Sequence, residues 1–329
     1  MSEIKKILLT GGAGYVGAVL VPALLSEGYH VTVIDLMIYG EDILEHHPNL
    51  EIIKGDIRDQ ALMGKLIEGK DAVMHLACIS NDPSFELNPD LGRSINLDPF
   101  EPMVRLAKEG GVSRFIYASS SSVYGVKEEM NVTEDLMLEP LTDYSRFKAD
   151  CENILLKYQS SEFTTVIIRP ATVCGYSPRQ RLDVVVNILT NLAYHNRRIS
   201  IFGGNQLRPN IHIDDMVRAY LCILNAPKEL IAGEIFNAGY ENHSVDELGQ
   251  AVIEVIGDDV EIIRTPTDDN RSYHVSSEKM RKVLGFEARY SIKDAIHGLK
   301  IAFQEERLKD PLTNELYFNI KRMQSINLR

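Results

Sequence analysis

The sequence predicts an α/β protein built on a doubly wound parallel sheet, with a smaller interleaved α/β lobe. Three observations predict it. Short apolar runs recur through the first half, separated by stretches of helical length. Several of these runs end in glycine or aspartate, where a strand gives way to a loop. The second half loses that rhythm and is punctuated by Pro170, Pro178, Pro209, Pro227 and Pro266.

Each element follows from its residues. Ile7 to Leu9 is a compact apolar run, and Val31 to Ile34 is rich in β-branched side chains. Leu50 to Ile53, Ala72 to Leu76, Arg114 to Ala118 and Thr165 to Ile168 complete a set of six candidate strands. Helices are expected near 15–27, 59–68, 97–109 and 143–159. Apolar runs joined through helices imply βαβ units, whose right-handed crossovers wind helices onto both faces of a parallel sheet. In the second half, helices are expected at 183–196, 214–225, 244–256 and 291–307. Short strands are expected at 199–202, 235–237 and 260–264. No internal repeat or low-complexity linker separates the halves, so two packed lobes are expected.

Composition excludes several function classes. At 329 residues and 44% hydrophobic, the chain can bury a core without disulfides. Cys78, Cys151, Cys174 and Cys222 are scattered, with no CxxC and no metal-ligand spacing, so free thiols and no metal are expected. A net charge of −12 argues against a nucleic-acid partner and against adsorption to an anionic membrane. No signal peptide is visible, and glycines interrupt the apolar stretch at 7–25, so a cytoplasmic location is expected.

Gly11, Gly14 and Gly17 are spaced GxxGxxG between the first apolar run and a helix. Glycine lets a phosphate approach the backbone, and the helix N-terminus offers unpaired N–H groups and a positive dipole end. Asp35 closes the second apolar run, 18 residues after Gly17. An acid there accepts hydrogen bonds from ribose hydroxyls and repels a 2′-phosphate, which favours NAD over NADP in a Rossmann-type site. Asp56 lies in the turn after the third strand. It is placed to reach the adenine, although a turn-forming role explains it as well.

Tyr144 and Lys148 lie four apart, on one face of a helix. An ammonium beside a phenol favours the phenolate, which can then take a proton from a substrate hydroxyl. The strand at 114–118 runs into Ser119, Ser120, Ser121 and Ser122, at the carboxyl end where ligands bind in such sheets.

These segments resemble the extended short-chain dehydrogenase/reductase family, in its NAD-dependent epimerase/dehydratase branch. Thr10 to Gly17 resembles the TGGxGYxG loop, His75-Leu76-Ala77 the turn after the fourth strand, and Ser119 to Gly125 the SSxxVYG segment of UDP-galactose 4-epimerase and its relatives. Tyr144 to Lys148 matches YxxxK, while Arg169-Pro170 and Arg208 to Asp215 resemble two further family segments. The resemblance implies that Ser120, Tyr144 and Lys148 are catalytic, with Lys148 also holding the nicotinamide ribose. The implied NAD contacts are Gly11, Gly14, Tyr15, Val16, Gly17, Asp35, Asp56, Ile57, Leu76, Ala77, Asn96, Ser119 and Pro170, with Tyr144 and Lys148. The expected substrate contacts are Ser80, Ser121, Thr172, Arg181, Arg208 and Arg271. Arg208 and Arg271 resemble arginines that bind the substrate diphosphate. Arg179 and Arg181 are candidates for anionic contacts or, equally, solvated loop charges. The resemblance also implies an NAD-binding domain over 1–172 with a returning segment near 211–237, a nucleotide-sugar lobe mainly over 173–329, and a homodimer through 97–109 and 143–159.

The family's 4,6-dehydratases carry Asp and Glu directly after the catalytic serine or threonine. Here those positions are Ser121 and Ser122, which do not supply a general acid near neutral pH. The 4-epimerase carries asparagine three residues after the arginine of the Arg169 segment, where this chain has Thr172. The expected activity is NAD-dependent oxidoreduction of a nucleotide-activated sugar, with epimerisation through a 4-keto sugar placed ahead of net dehydrogenation or ketoreduction. A protein that senses NAD without chemistry ranks last, because Ser120, Tyr144 and Lys148 are all present.

Overall fold

The computed structural model describes residues 4–80, 87–127, 129, 131–267, 274–326 and 328. The six apolar runs are β1 (Lys6–Thr10), β2 (His30–Asp35), β3 (Leu50–Lys54), β4 (Ala72–His75), β5 (Arg114–Ala118) and β6 (Thr164–Pro170). The later strands are β7 (Thr172–Cys174), β8 (Arg198–Phe202), β9 (Leu207–His212), β10 (Glu234–Ala238), β11 (Glu241–Ser244) and β12 (Glu261–Thr265). The main sheet runs β10-β6-β5-β4-β1-β2-β3, with every pairing parallel. Strand order reverses between β1 and β4, which leaves a crevice at their carboxyl ends.

Successive side chains of a strand point to opposite faces. Ile7 and Leu9 therefore join one core while Leu8 joins the other. Helices α1 (Gly17–Ser26), α2 (Gln60–Ile67), α3 (Pro89–Asn96), α4 (Phe100–Glu109), α5 (Asp143–Lys157), α6 (Val185–Asn196) and α7 (Ile213–Asn225) follow in order. Leu20 and Leu24 of α1 pack with Met216, Tyr220 and Ile223 of α7 over one face of the sheet. Met63 of α2, Met103 of α4 and Leu155 of α5 cover the other. Arg114 fixes α7 to the sheet by donating to the carbonyls of Ile223 and Ala226 at 3.1 and 3.0 Å. A cation suits the negative end of a helix.

The remaining helices are α8 (Lys228–Ile231), α9 (Val245–Ile256), α10 (Glu278–Leu284), α11 (Ile292–Gln304) and α12 (Asn319–Ile326). Val186 and Leu189 of α6, Leu248 and Val252 of α9 and Ile296 of α11 form a second core beside the parallel pair β8-β12. The strands β11-β9-β7 make a third small sheet. Among the described residues, no helix is long and apolar enough to cross a membrane. All four cysteines are free thiols.

Strands β7, β9 and β11 and helices α3, α8, α10 and α12 are not among the expected elements, and two of these differences have a local cause. The helix expected over 97–109 begins only at Phe100, and a separate helix, α3, precedes it. Asn88 caps α3 by accepting from the Leu91 N–H at 3.1 Å, and Pro89 sits in its first turn. Strand β9 contains Pro209, which cannot donate to a ladder. Its short pairings, antiparallel to β11 and parallel to β7, accommodate the proline.

His75 closes β4 inside the sheet. Its Nδ1 shares a hydrogen bond of 2.7 Å with the Thr10 hydroxyl, and its ring stacks on Tyr117. Burial, with a smaller push from the Lys148 charge, moves its pKa down to about 3. The unfolded chain therefore takes up a proton below pH ~6.5 that the folded protein refuses until near pH 3. Stability from this residue is complete above pH ~6.5 and falls as pH drops, by up to about 1.4 kcal/mol per pH unit. Urea midpoints measured from pH 7 to pH 5 are expected to fall less steeply in His75→Gln than in the parent.

Candidate active site

The carboxyl ends of β1, β4 and β5 open into a cleft of about 510 Å³, within the range of ligand pockets. The glycine loop forms its floor. A Cβ on Gly11, at φ +76°, would lie 2.6 Å from the Ala77 nitrogen, and one on Gly17 would lie 2.5 Å from the carbonyl oxygens of Gly11 and Gly12. These two glycines let loop, helix and β4 pack together. Gly14 faces a looser contact, 3.1 Å from the Gly11 oxygen, and lines the cleft. No side chain caps the start of α1, although the Ala18 and Val19 N–H groups already donate to the Gly14 and Val16 carbonyls at 2.9 and 3.1 Å; the positive end of the helix still favours an anion there.

Asp35 stands beside this loop and binds it. Its carboxylate accepts from the Ala13 N–H at 3.0 Å and the Met37 N–H at 2.8 Å. Burial pushes its pKa up, and these two bonds oppose that push. Thr10 joins the switch-point strands: its carbonyl accepts from the Leu76 N–H at 3.0 Å and its hydroxyl from the Ala77 N–H at 3.3 Å.

Helix α5 carries the tyrosine and lysine. Thr142 and Ser145 form a reciprocal cap that fixes its first turn, so Tyr144 enters the cleft from the helix's second residue. Lys148 is buried, donates from Nζ to the Ala118 carbonyl at 2.6 Å, and lies 5.9 Å from the centre of the Tyr144 ring. Ser120 and Ser122 share a hydroxyl bond of 2.8 Å, and the Ser122 N–H donates to the Ser120 hydroxyl at 3.1 Å. The Ser119 hydroxyl is turned to Glu152. Glu152 is buried and binds Arg169 through two bonds, of 3.0 and 2.6 Å. Arg169 also donates to the Tyr124 hydroxyl at 2.7 Å, which donates to Asn237 at 2.7 Å. This network joins α5 to β6 and β10 beneath the serines.

The cleft brings together the proposed catalytic residues Ser120, Tyr144 and Lys148. Gly11, Gly14, Tyr15, Val16, Gly17, Asp35, Ile57, Leu76, Ala77, Ser119 and Pro170 also line it. From the substrate set, Ser80, Ser121, Thr172, Arg181 and Arg208 reach the same cleft. Asp56 and Asn96 do not line it. Asp56 is held by Arg58, which donates to its Oδ2 from two nitrogens at 2.9 and 2.6 Å; burial raises its pKa, but these bonds outweigh it and the net shift is down. Asn96 grips the backbone of Ile79, accepting from its N–H at 2.8 Å and donating to its carbonyl at 3.0 Å. It supports a cleft-lining residue from behind. Arg271 lies outside the described residues.

The reading from motifs missed Tyr39, Asp183, Asn319 and Met323, all of which line the cleft. Tyr39 follows Asp35 by four residues, so the stretch after the acid was the available signal. Asn319 and Met323 come from α12 and carry no local motif.

The residues fit a dinucleotide: a glycine loop that side chains would block, an uncapped helix start, and an acid beside them. Comparison with known proteins agrees. The family model described as NAD dependent epimerase/dehydratase family matches residues 7–239. A UDP-glucose 4-epimerase of Lactobacillus helveticus is 26% identical over 312 residues, 88% of this chain and 94% of that protein. A dTDP-glucose 4,6-dehydratase of Streptomyces niveus is 27% identical over 315 residues, 88% of this chain and 90% of that protein. The solved structure of a UDP-glucuronic acid 4-epimerase from Bacillus cereus, in complex with UDP-glucuronic acid and NAD, is similar at a TM-score of 0.83 and 27% identity. That match covers 92% of this chain and 99% of the other.

Proposed function

Because this chain belongs to the NAD-dependent epimerase/dehydratase family, we propose that it epimerises a nucleotide-activated sugar through a 4-keto sugar. The observation that carries this choice is the carboxylate inventory of the cleft. Among the described residues lining it, only Asp35 and Asp183 are acids. Asp35 is bonded to the glycine loop, and Asp183 accepts from Arg181 at 2.6 Å. Neither stands in the serine segment, where an eliminating enzyme needs an acid and a base to remove water.

NAD held on the glycine loop supplies a centre that accepts a hydride and can return it. The protein's own residues manage the proton and the geometry. Tyr144 takes the proton of the reacting sugar hydroxyl and gives it back. Lys148 places positive charge beside that phenol. Ser120, steadied by Ser122, hydrogen-bonds the reacting oxygen. Arg208, at the cleft wall, is proposed to meet the substrate diphosphate. The proposed assembly is a homodimer through α4 and α5.

The full chain incubated with UDP-, dTDP-, GDP- and CDP-sugars is expected to convert one of them to its 4-epimer, without accumulating NADH. Stoichiometric NADH would replace this reading with a net dehydrogenase. A 4-keto-6-deoxy product would replace it with a dehydratase.

A further inference from the structure

Arg179 is a buried cation with no carboxylate bonded to it among the described residues. It is 3% exposed and lines the cleft. Its guanidinium lies 3.5 Å above the Tyr39 ring, and one terminal nitrogen donates to the Asn319 Oδ1 at 2.7 Å. Its Nε has no hydrogen-bond partner among the described residues. Burial pushes its pKa down only to about 10, so it stays charged at neutral pH. The neighbouring Arg181 differs, being paired with Asp183. A buried guanidinium to which no described carboxylate is bonded is costly unless an anion completes it.

Position identifies the anion. The loop carrying Arg179 is pinned to the glycine loop. Ser177 donates to the Tyr15 carbonyl at 2.7 Å, and the Tyr15 hydroxyl donates to the Gly175 carbonyl at 2.7 Å. Arg179 is within electrostatic reach of Asp35, at the ribose end, while Arg181 is within reach of Tyr144, at the reacting end. A dinucleotide spanning those ends carries its diphosphate between them.

Asn319 sets the arginine in place. It is 2% exposed, accepts from Arg179, donates to the Ser80 hydroxyl at 2.9 Å, and donates its N–H to Asp183 at 2.7 Å. One residue of α12 thus ties three parts of the cleft wall.

We propose that Arg179 is a cofactor-binding residue that takes the diphosphate of the dinucleotide, completing the anion site begun by the glycine loop, and that Asn319 is its positioning residue. This rests on the NAD site and not on the epimerase reading, and it is tested with no sugar present.

The test titrates the full-length chain with NADH, ADP, adenosine and UDP. Arg179→Met is expected to weaken NADH and ADP about tenfold to a hundredfold, the worth of one charge-assisted bond. Adenosine, lacking phosphate, and UDP are expected to bind unchanged. Asn319→Ala is expected to weaken NADH by a smaller factor, and to add nothing once Arg179 is methionine. A loss of UDP binding with NADH unchanged would assign Arg179 to the substrate and overturn the proposal. Equal losses for ADP and adenosine would overturn it too, by reducing Arg179 to a packing role on Tyr39. Should Arg179→Met fail to fold, Arg179→Lys keeps the charge but not the fork of donors. It is expected to weaken ADP severalfold with adenosine unchanged, and parental affinity for ADP would overturn the proposal.

Discussion

Tyr144→Phe is expected to lower kcat about 10²- to 10⁴-fold, the usual worth of a positioned acid–base group, while NADH affinity stays near the parent's. Only a hydroxyl is removed. The ring still fills its place at the start of α5, where the Thr142–Ser145 cap sets the backbone independently of the phenol. Lys148 keeps its bond to the Ala118 carbonyl and its position 4.9 Å from the centre of the Tyr117 ring. The loss therefore reports proton transfer and not collapse of the site. The check is single-turnover kinetics on the active sugar beside an NADH titration of the same variant. A fall in kcat of less than tenfold would remove Tyr144 from the role proposed for it. Loss of NADH affinity in step with activity would make it a cofactor-binding group instead.

The second large effect lies under the site. Glu152→Ala is expected to destabilise the fold by about 3–5 kcal/mol, the range for stranding one partner of a buried ion pair. Arg169 and Glu152 are both almost wholly enclosed, with side chains 3% and 2% exposed. Burial works against the Arg169 charge, and the Glu152 carboxylate more than offsets it, so the guanidinium pKa moves up. Without Glu152 the arginine keeps, among the described residues, the Tyr124 hydroxyl and a long bond to the Glu134 carbonyl. Ser119 also loses its acceptor. Urea unfolding measures the cost. The double variant Glu152→Leu with Arg169→Met is expected to recover part of it, because no charge is then left buried. Recovery stays incomplete, since Ser119 and Tyr124 each lose a partner. A double variant less stable than Glu152→Ala would show that the network is held by its hydroxyls and not by the ion pair.

The main sheet was legible because its central strands are covered on both faces and must be apolar throughout: Ile7, Leu8 and Leu9 are wholly buried, as are Val73 and Met74. The glycine loop, Asp35 and the Tyr144–Lys148 pair were legible because each is a short-range spacing with one chemical use. What escaped depends on distant partners. Helix α12 is polar in sequence, and what holds it in place is the packing of Met323 and Ile326 against the sheet's helical layer together with the bonds of Asn319 and Arg322 to distant residues. Asn319 meets Asp183 across 136 residues and Ser80 across 239, separations that no local pattern encodes. Asn96 lies one step behind the cleft: its amide is spent on the Ile79 backbone, so it acts on the cleft through another residue.

The order of the main sheet has a consequence for synthesis. Strand β10 completes the sheet beside β6, yet it begins at Glu234, 64 positions after β6 ends at Pro170. At roughly 5–20 residues per second, the ribosome needs about 3–13 s to make that interval. Throughout it, the outer edge of β6 is an unpaired row of N–H and C=O groups on an apolar strand, open to pairing with another nascent chain. The docking of Val166 to Pro170 against Glu234 to Ala238 thus closes, late in synthesis, an edge that is open to aggregation until then.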